Sequence, residues 1–277
     1  MSIELGKFNT LEVVKTVDFG VYLDGKEEGE ILLPTRYVPE NCVPGDLLNV
    51  FLYLDNEERL IATTLTPLVQ VGEFACLEVA WVNEFGAFLN WGLMKDLFVP
   101  FREQKMKMQV GKSYVVHAHI DEESYRIVAS AKIERYLSKE IPTYQAGAEV
   151  DILIWQKTDL GFKAIIDQQF PGLLYDSEIF QSLRTGMTLK AFVKQVRPDG
   201  KIDLILQKPG AAKVDDFASS LLDYIKEHGG AAQLNDKTPA DDIYQIFGVS
   251  KKTFKKAVGD LYKKHLIVLT DNGLKLA

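Results

Sequence analysis

The chain has 277 residues, 47% of them hydrophobic and 26% charged, a composition that excludes a disordered or fibrous protein and leaves ample apolar material for a core. No apolar run approaches the roughly 18 residues of a membrane span, and the start, MSIELGKFNT, lacks the basic-then-apolar pattern of a signal peptide, so a cytoplasmic protein without membrane contact is expected. The formal charge of −7 argues against a general nucleic-acid coat, and two cysteines, Cys42 and Cys76, cannot build a disulfide framework or a zinc cage.

Along the chain the sequence repeats itself. Gly6, Phe8, Val13, Phe19-Gly20, Pro34 and Gly45 each recur 66 residues later as Gly72, Phe74, Val79, Phe85-Gly86, Pro100 and Gly111. A third copy follows the second at a spacing of 75, with Gly147, Gly161 and Gly186. The repeat predicts domains at 1–67, 68–140 and 141–208. In the first, Leu11–Lys15 and Val21–Leu23 read as strands flanking Asp18-Phe19-Gly20, and Asp24-Gly25 as a tight turn. Glu30–Pro34 reads as a third strand, ended by a proline that cannot continue the ladder. Val43-Pro44-Gly45-Asp46 then leads into Leu47–Leu54, a turn at Asp55-Asn56-Glu57-Glu58 and a last strand at Arg59–Leu65. The second copy closes with Tyr114–Ile120 and Tyr125–Ala131. Five strands in about 65 residues, with one long middle connection, fit a small Greek-key barrel of the OB type.

After residues 209–214, which read as a linker, the period becomes helical, and a fourth domain is expected at 213–277. Asp215–His228 presents Phe217, Leu221, Leu222 and Ile225 on one face and stops at Gly229-Gly230. Thr238 reads as the N-cap of a second helix, with Pro239 at its first position and an end at Phe247-Gly248. Ser250 caps a third helix, with Phe254, Val258 and Leu261 on one face. Leu266–Thr270, Asp271-Asn272-Gly273 and Leu274–Leu276 read as a β-hairpin. The fold expected is mainly β with a C-terminal α+β domain: three tandem OB barrels and a winged helix-turn-helix.

These fragments carry a resemblance. Phe19-Gly20-Val21-Tyr22, Phe85-Gly86-Ala87-Phe88 and Leu160-Gly161-Phe162-Lys163 resemble the FG-containing strand pair of the S-one RNA-binding domain. Pro44-Gly45-Asp46, Val110-Gly111-Lys112 and Thr185-Gly186-Met187 resemble the glycine-bearing stretch that follows its long connection. Three such units followed by a winged helix resemble the conserved virulence factor B family over nearly the whole chain. The resemblance implies a cytoplasmic RNA-binding protein in post-transcriptional control of gene expression, without enzyme activity.

Candidate site residues follow. On an OB barrel, exposed rings stack unpaired bases at ~1–3 kcal/mol per base with little regard to sequence. Phe19, Tyr22, Phe85 and Phe88 stand where S-one domains carry such rings; strand alternation would alternatively bury one of each pair. The family's histidine position falls near Leu32, Phe98 and Tyr175. Arg59, Arg126 and Lys201 match its basic residue on the last strand and either meet phosphate or are solvated beside an acidic turn. Residues 1–67 hold 5 Lys/Arg against 12 Asp/Glu, which opposes phosphate contact. Residues 145–208 hold 8 of each, but Leu160 replaces the first ring. The second unit keeps Phe85, Phe88, Phe98 and Arg126, with Lys105 and Lys107 nearby, and is the expected binder.

In 251–264, 6 lysines stand against Asp260 alone. Lys251, Lys252, Lys255 and Lys256 occupy the recognition-helix position and offer phosphate contact, or form a solvated face. A DNA-binding regulator led by the winged helix, with the barrels as protein-contact modules, is the rival reading, and a ribosome-associated or nuclease-accessory factor a third. His117-Ala118-His119 lacks a third metal ligand and reads as two surface histidines. No Walker loop, paired-carboxylate motif or GxGxxG is present, and no metal or cofactor is expected.

Overall fold

Short runs of alternating apolar residues, punctuated by glycine and proline, become five strands in each repeat. The computed structural model describes residues 3–179, 181–207, 212–270 and 273–277. Barrel one comprises β1 (Phe8–Val17), β2 (Gly20–Asp24), β3 (Glu30–Pro34), β4 (Leu47–Leu54) and β5 (Leu60–Thr63). Barrel two comprises β6 (Phe74–Val82), β7 (Gly86–Asn90), β8 (Leu97–Pro100), β9 (Ser113–Ile120) and β10 (Ile127–Ser130). Barrel three comprises β11 (Glu149–Thr158), β12 (Gly161–Ile166), β13 (Phe170–Tyr175), β14 (Thr188–Val196) and β15 (Ile202–Ile205). All three close in one order, first–second–third–fifth–fourth, with a parallel third–fifth pair. That is the OB arrangement expected from the repeat.

The repeated glycines have a steric cause. A Cβ on Gly20 would lie 2.1 Å from the Leu33 carbonyl oxygen, on Gly86 2.3 Å from that of Val99, and on Gly161 1.9 Å from that of Leu174. The neighbouring strand therefore crosses too closely for any other residue. Opposite the residues just after this glycine, Tyr22–Leu23, Phe88–Leu89 and Lys163–Ala164, the first strand of each barrel shifts register, between Val13 and Lys15, Val79 and Trp81, and Ile154 and Gln156. A bulge there sharpens strand twist and re-aims the side chains around it.

The β2–β3 connection differs from the expected tight turn at Asp24-Gly25. Lys26–Glu28 form a 3-10 turn, and the left-handed residues are Lys26 and Gly29. Gly25 is needed for space instead, since its Cβ would meet the Gly29 carbonyl at 2.1 Å.

The chain divides into two compact units, Met1–Leu137 and Ser138–Ala277. In the first, each barrel has its own core, and barrel one also lends residues to that of barrel two. Residues Val50–Tyr53 on β4 are buried on both faces: Val50 and Leu52 fill barrel one, while Phe51 and Tyr53 join the core of barrel two. The Phe51 and Trp91 rings meet edge-on at 5.7 Å. A continuous apolar run in place of alternation is what a strand with two buried faces requires.

The second unit holds barrel three and the winged helix: α1 (Ala212–Glu227), β16 (Ala231–Ala232), α2 (Ala240–Phe247), α3 (Lys251–Lys263), β17 (Ile267–Thr270) and β18 (Gly273–Leu276), with sheet order β16-β18-β17. Phe217, Leu221, Ile225, Ile243, Phe254, Ala257, Leu261, Ile267 and Leu274 form the core of the winged helix. Here α1 starts three residues earlier than expected; 209–211 of the expected linker and the turn residues Asp271 and Asn272 lie outside the described residues. Thr238 does not cap α2: its hydroxyl accepts from the Asn235 N–H at 2.9 Å, and Pro239 stands at the cap. Ser250 does cap α3, accepting from the Thr253 N–H at 3.1 Å. The buried face of α3 is Phe254, Ala257 and Leu261, with Val258 at its margin. No helix among the described residues is long and apolar enough to cross a membrane.

Candidate nucleic-acid interface

The three barrels share one register, so equivalent side chains can be compared position by position. Phe19, Phe85 and Leu160 all stand in the turn before the crossing glycine and are 57%, 65% and 64% exposed. Four positions then line the same outer face. In barrel one they are Lys15, Tyr22, Leu32 and Ile61; in barrel two, Trp81, Phe88, Phe98 and Val128; in barrel three, Gln156, Lys163, Leu173 and Asp203. The expected histidine position in barrel three is thus Leu173, not Tyr175, which lies opposite Gly161 where Pro34 and Pro100 lie opposite Gly20 and Gly86. The longer β12–β13 pairing hid that two-residue offset in the sequence.

The faces differ in chemistry. Barrel one has an edge-on Phe19–Tyr22 pair at 6.3 Å, so the three-residue spacing across the glycine does bring both rings together. Lys15 lies 4.8 Å over the Tyr22 ring but is 2.5 Å from Glu30. Barrel three has no ring at the Tyr22 and Phe88 position. A polar network occupies its face: Arg197 reaches buried Asp203 at 2.8 Å, Gln195 donates to the same carboxylate at 2.7 Å, and the Tyr175 hydroxyl accepts from Arg197.

Barrel two carries an aromatic platform. The Trp81 indole and Phe88 ring are parallel at 3.7 Å and 3°, and Phe98 continues the set 4.8 Å from Phe88. Trp81 is 44% exposed and is fixed by donating its N–H to Asp96 at 2.8 Å. Sequence reasoning missed Trp81, although the 66-residue offset from Lys15 puts a large ring on a face where strand alternation expects polar side chains. The platform and Phe85 line a cleft of about 760 Å³ whose opposite wall is the last turn of barrel one, with Tyr53, Asn56 and Glu58. Lys95 ties the two walls, donating to the Asp55 carbonyl at 2.7 Å. Burial there lowers the Lys95 pKa below its ordinary value, with the Glu58 carboxylate working against the shift.

The three equivalent cations, each one residue before the last strand of its barrel, are all engaged. Arg59 forks onto Asp55 at 2.8 and 2.9 Å and also meets Glu57 at 2.9 Å. Lys201 pairs with Asp199 at 2.8 Å. Arg126 pairs with Glu58 of barrel one. In the long connection of barrel two, Lys105 pairs with Glu134 at 2.6 Å, and Lys107 lies 6.0 Å from the Phe101 ring centre. On α3 the situation is reversed. Lys252, Lys255 and Lys256 are exposed and Lys251 half-exposed, and none of the four is ion-paired with a described residue.

The histidine pair is not a surface feature. His117 is only 7% exposed, packed against Phe74 at 4.6 Å and stacked on Tyr136 at 4.1 Å, whose hydroxyl lies 3.2 Å from His119 Nε2. Burial, then the neighbouring His119, lowers the His117 pKa to about 4. Among the described residues no three His, Cys, Asp or Glu side chains cluster as metal ligands.

Three OB barrels of the S1 type, one bearing a stacked aromatic platform, and a C-terminal winged helix define a multidomain protein built from nucleic-acid-binding modules. A family model for the S1 domain matches residues 5–65, and one for the CvfB-like winged helix domain matches 219–276. The Bacillus subtilis protein YitL is 30% identical over 273 residues, covering 95% of this chain and 90% of that protein. Conserved virulence factor B of Staphylococcus saprophyticus is 20% identical over 281 residues, 98% of this chain and 94% of the relative. The chain belongs to the conserved virulence factor B family. A crystal structure described as a multidomain protein with nucleic acid binding domains from Streptococcus pneumoniae covers 99% of this chain and 98% of its own, at 24% identity and a TM-score of 0.44.

Proposed function

We propose that this protein is a non-enzymatic, cytoplasmic RNA-binding protein that takes single-stranded RNA on the aromatic face of barrel two and acts in post-transcriptional regulation of gene expression. One observation carries the reading. Trp81, Phe88 and Phe98 form a fixed stack beside exposed Phe85 in a cleft open to solvent. Trp81 and Phe85 are exposed on the OB face and offer π-faces on which unpaired bases stack. Duplex bases are already stacked on one another and cannot use such a platform, so single strands are favoured.

The winged helix adds affinity. Its four α3 lysines lack ion-pair partners among the described residues and suit phosphate contact, while offering little base recognition. Gln207 donates to the Gly248 carbonyl at 3.1 Å and Tyr244 to Gln181 at 3.0 Å, contacts made by α2 and its C-terminal turn that leave the lysine face of α3 uncovered. The rival reading, duplex DNA bound mainly by the winged helix, rests on the same lysines. Titration with labelled single-stranded RNA, single-stranded DNA and duplex DNA at one salt concentration separates the two. Tightest binding to single-stranded RNA is expected; equal or tighter binding to duplex DNA rejects the proposal.

A further inference from the structure

The cation before the last strand has a different partner in each barrel. Arg59 and Lys201 pair with carboxylates of their own turns, Asp55 and Asp199, whereas Arg126 crosses to barrel one and pairs with Glu58. Glu58 is the residue at which the Asp55–Arg59 turn becomes left-handed, with φ of 64°. The Glu58 N–H donates to the Asp55 carbonyl at 3.0 Å, and Asp55 donates back to Arg59 at 2.9 Å, which fixes the turn from which its side chain projects. Both Glu58 and Arg126 line the cleft that holds the aromatic platform.

We infer that barrel one supplies a wall of the nucleotide site on barrel two, in which Glu58 competes with RNA phosphate for the Arg126 guanidinium. This rests on the platform being the RNA site. A bound strand stacks on the rings and brings a phosphodiester to Arg126, which prefers the planar, two-pronged contact that phosphate and carboxylate both offer. Glu58 must then let go. The pair is half-exposed on both sides, so it holds Arg126 weakly enough to be displaced. The released carboxylate takes up a cation from solution and cancels the one that the neutralised phosphate gives back. Binding at this site therefore depends less on salt than its arginine alone would dictate. The acidic balance of barrel one becomes, at Glu58, a part of the site rather than a reason for it not to bind.

The test uses the full chain and a labelled oligouridylate of a length suited to one barrel, roughly 4–16 nucleotides, titrated over a range of salt concentrations. Glu58→Gln removes the competing charge with little change of shape. It should tighten binding up to about fivefold, the ~1 kcal/mol ceiling of an exposed pair, and steepen the salt slope by up to ~0.7. Glu57→Gln, which removes a neighbouring carboxylate that pairs with Arg59 instead, should do neither. In an Arg126→Gln background, Glu58→Gln should no longer tighten binding. An unchanged or weaker Glu58→Gln variant, or an equal gain without Arg126, overturns the inference. Phe85→Ala separates the two levels of the argument, since Phe85 is exposed and its removal leaves the core intact. Wild-type affinity in Phe85→Ala overturns the platform reading and this inference with it. Lost affinity there, beside an unresponsive Glu58→Gln, overturns the inference alone.

Discussion

Trp81 and Phe88 face one another across the β6–β7 ladder with parallel rings 3.7 Å apart, one held by Asp96 and the other backed by Phe98. A ring already ordered by its neighbours loses little freedom when a base stacks on it, so more of the stacking energy appears as affinity. Trp81→Ala and Phe85→Ala should each weaken single-stranded RNA binding by ~1–3 kcal/mol, roughly five- to 150-fold. Leu160→Ala, at the position equivalent to Phe85 in barrel three, should change it little, because an aliphatic side chain offers no π-face. Direct titration of the three variants, with circular dichroism confirming that each is folded, checks this. Equal affinities for Phe85→Ala and Leu160→Ala would remove barrel two from its assigned role.

His117 gives a pH dependence whose sign can be worked out. Its pKa falls from 6.5 in the open chain to about 4 in the fold, with burial the main cause. Between those values the unfolded chain binds a proton that the folded protein does not, so stability falls as pH drops from about 6.5 toward 4 and is fully present above that window. Asp24, Asp121 and Asp199 are lowered from 3.8, each by a hydrogen bond from Lys26, Ser124 and Lys201 respectively, and their contribution is lost only at lower pH. Melting temperatures measured from pH 7.5 to 4 should therefore fall for the wild type and fall less for His117→Leu. Parallel curves would show that His117 is not the titrating group.

Much of this fold is visible in the residues. Gly20, Gly86 and Gly161 mark the strand crossing in each barrel and reveal the repeat, because a carbonyl about 2 Å from any Cβ permits no substitute. Gly248, at φ of 65°, ends α2 where the sequence places the stop. Other features depend on neighbours distant in the chain. Val50–Tyr53 looks like an ordinary strand until barrel two packs on its outer face. His117 reads as half of a surface pair because nothing local reveals Phe74 and Tyr136 closing over it. Phe88 and Phe98 of the platform, and Phe85 beside it, are legible, but Trp81 is not, and neither is the cleft, since Glu58 and Asn56 come from the preceding repeat.

The last turns give a stability prediction from backbone geometry. The residue before the basic one is left-handed in all three barrels: Glu58 at φ of 64°, Tyr125 at 56° and Gly200 at 78°. A left-handed residue closes each of these hairpins, and only barrel three fills it with glycine. For a bulky side chain that conformation costs ~1–2 kcal/mol, against ~0.5–1 kcal/mol for the extra freedom of glycine in the unfolded chain. Tyr125 is largely exposed, so little packing is lost with it. Tyr125→Gly should raise stability by about 0.5–1 kcal/mol in chemical denaturation, and Tyr125→Ala should not.

The α3 lysines provide the electrostatic prediction. Arg59, Arg126 and Lys201 must each leave a carboxylate to meet phosphate, whereas Lys251, Lys252, Lys255 and Lys256 have no such partner among the described residues. Phe254, Ala257 and Leu261 hold the opposite face of α3 in the core, so replacing the lysines leaves the packing undisturbed. Each lysine in contact with a phosphate adds ~0.7 to the salt slope on a single strand and ~0.9 on a duplex. Changing all four to glutamine should flatten the dependence of log affinity on log salt and weaken binding about equally across sequences. Base preference should survive, because lysine–phosphate contact carries no sequence information. A slope equal to that of the wild type on the same RNA would make the lysines a solvated face. The α2 contacts to Gln181 and Gln207 would then make the winged helix a cap on barrel three, and the barrels alone would carry the RNA.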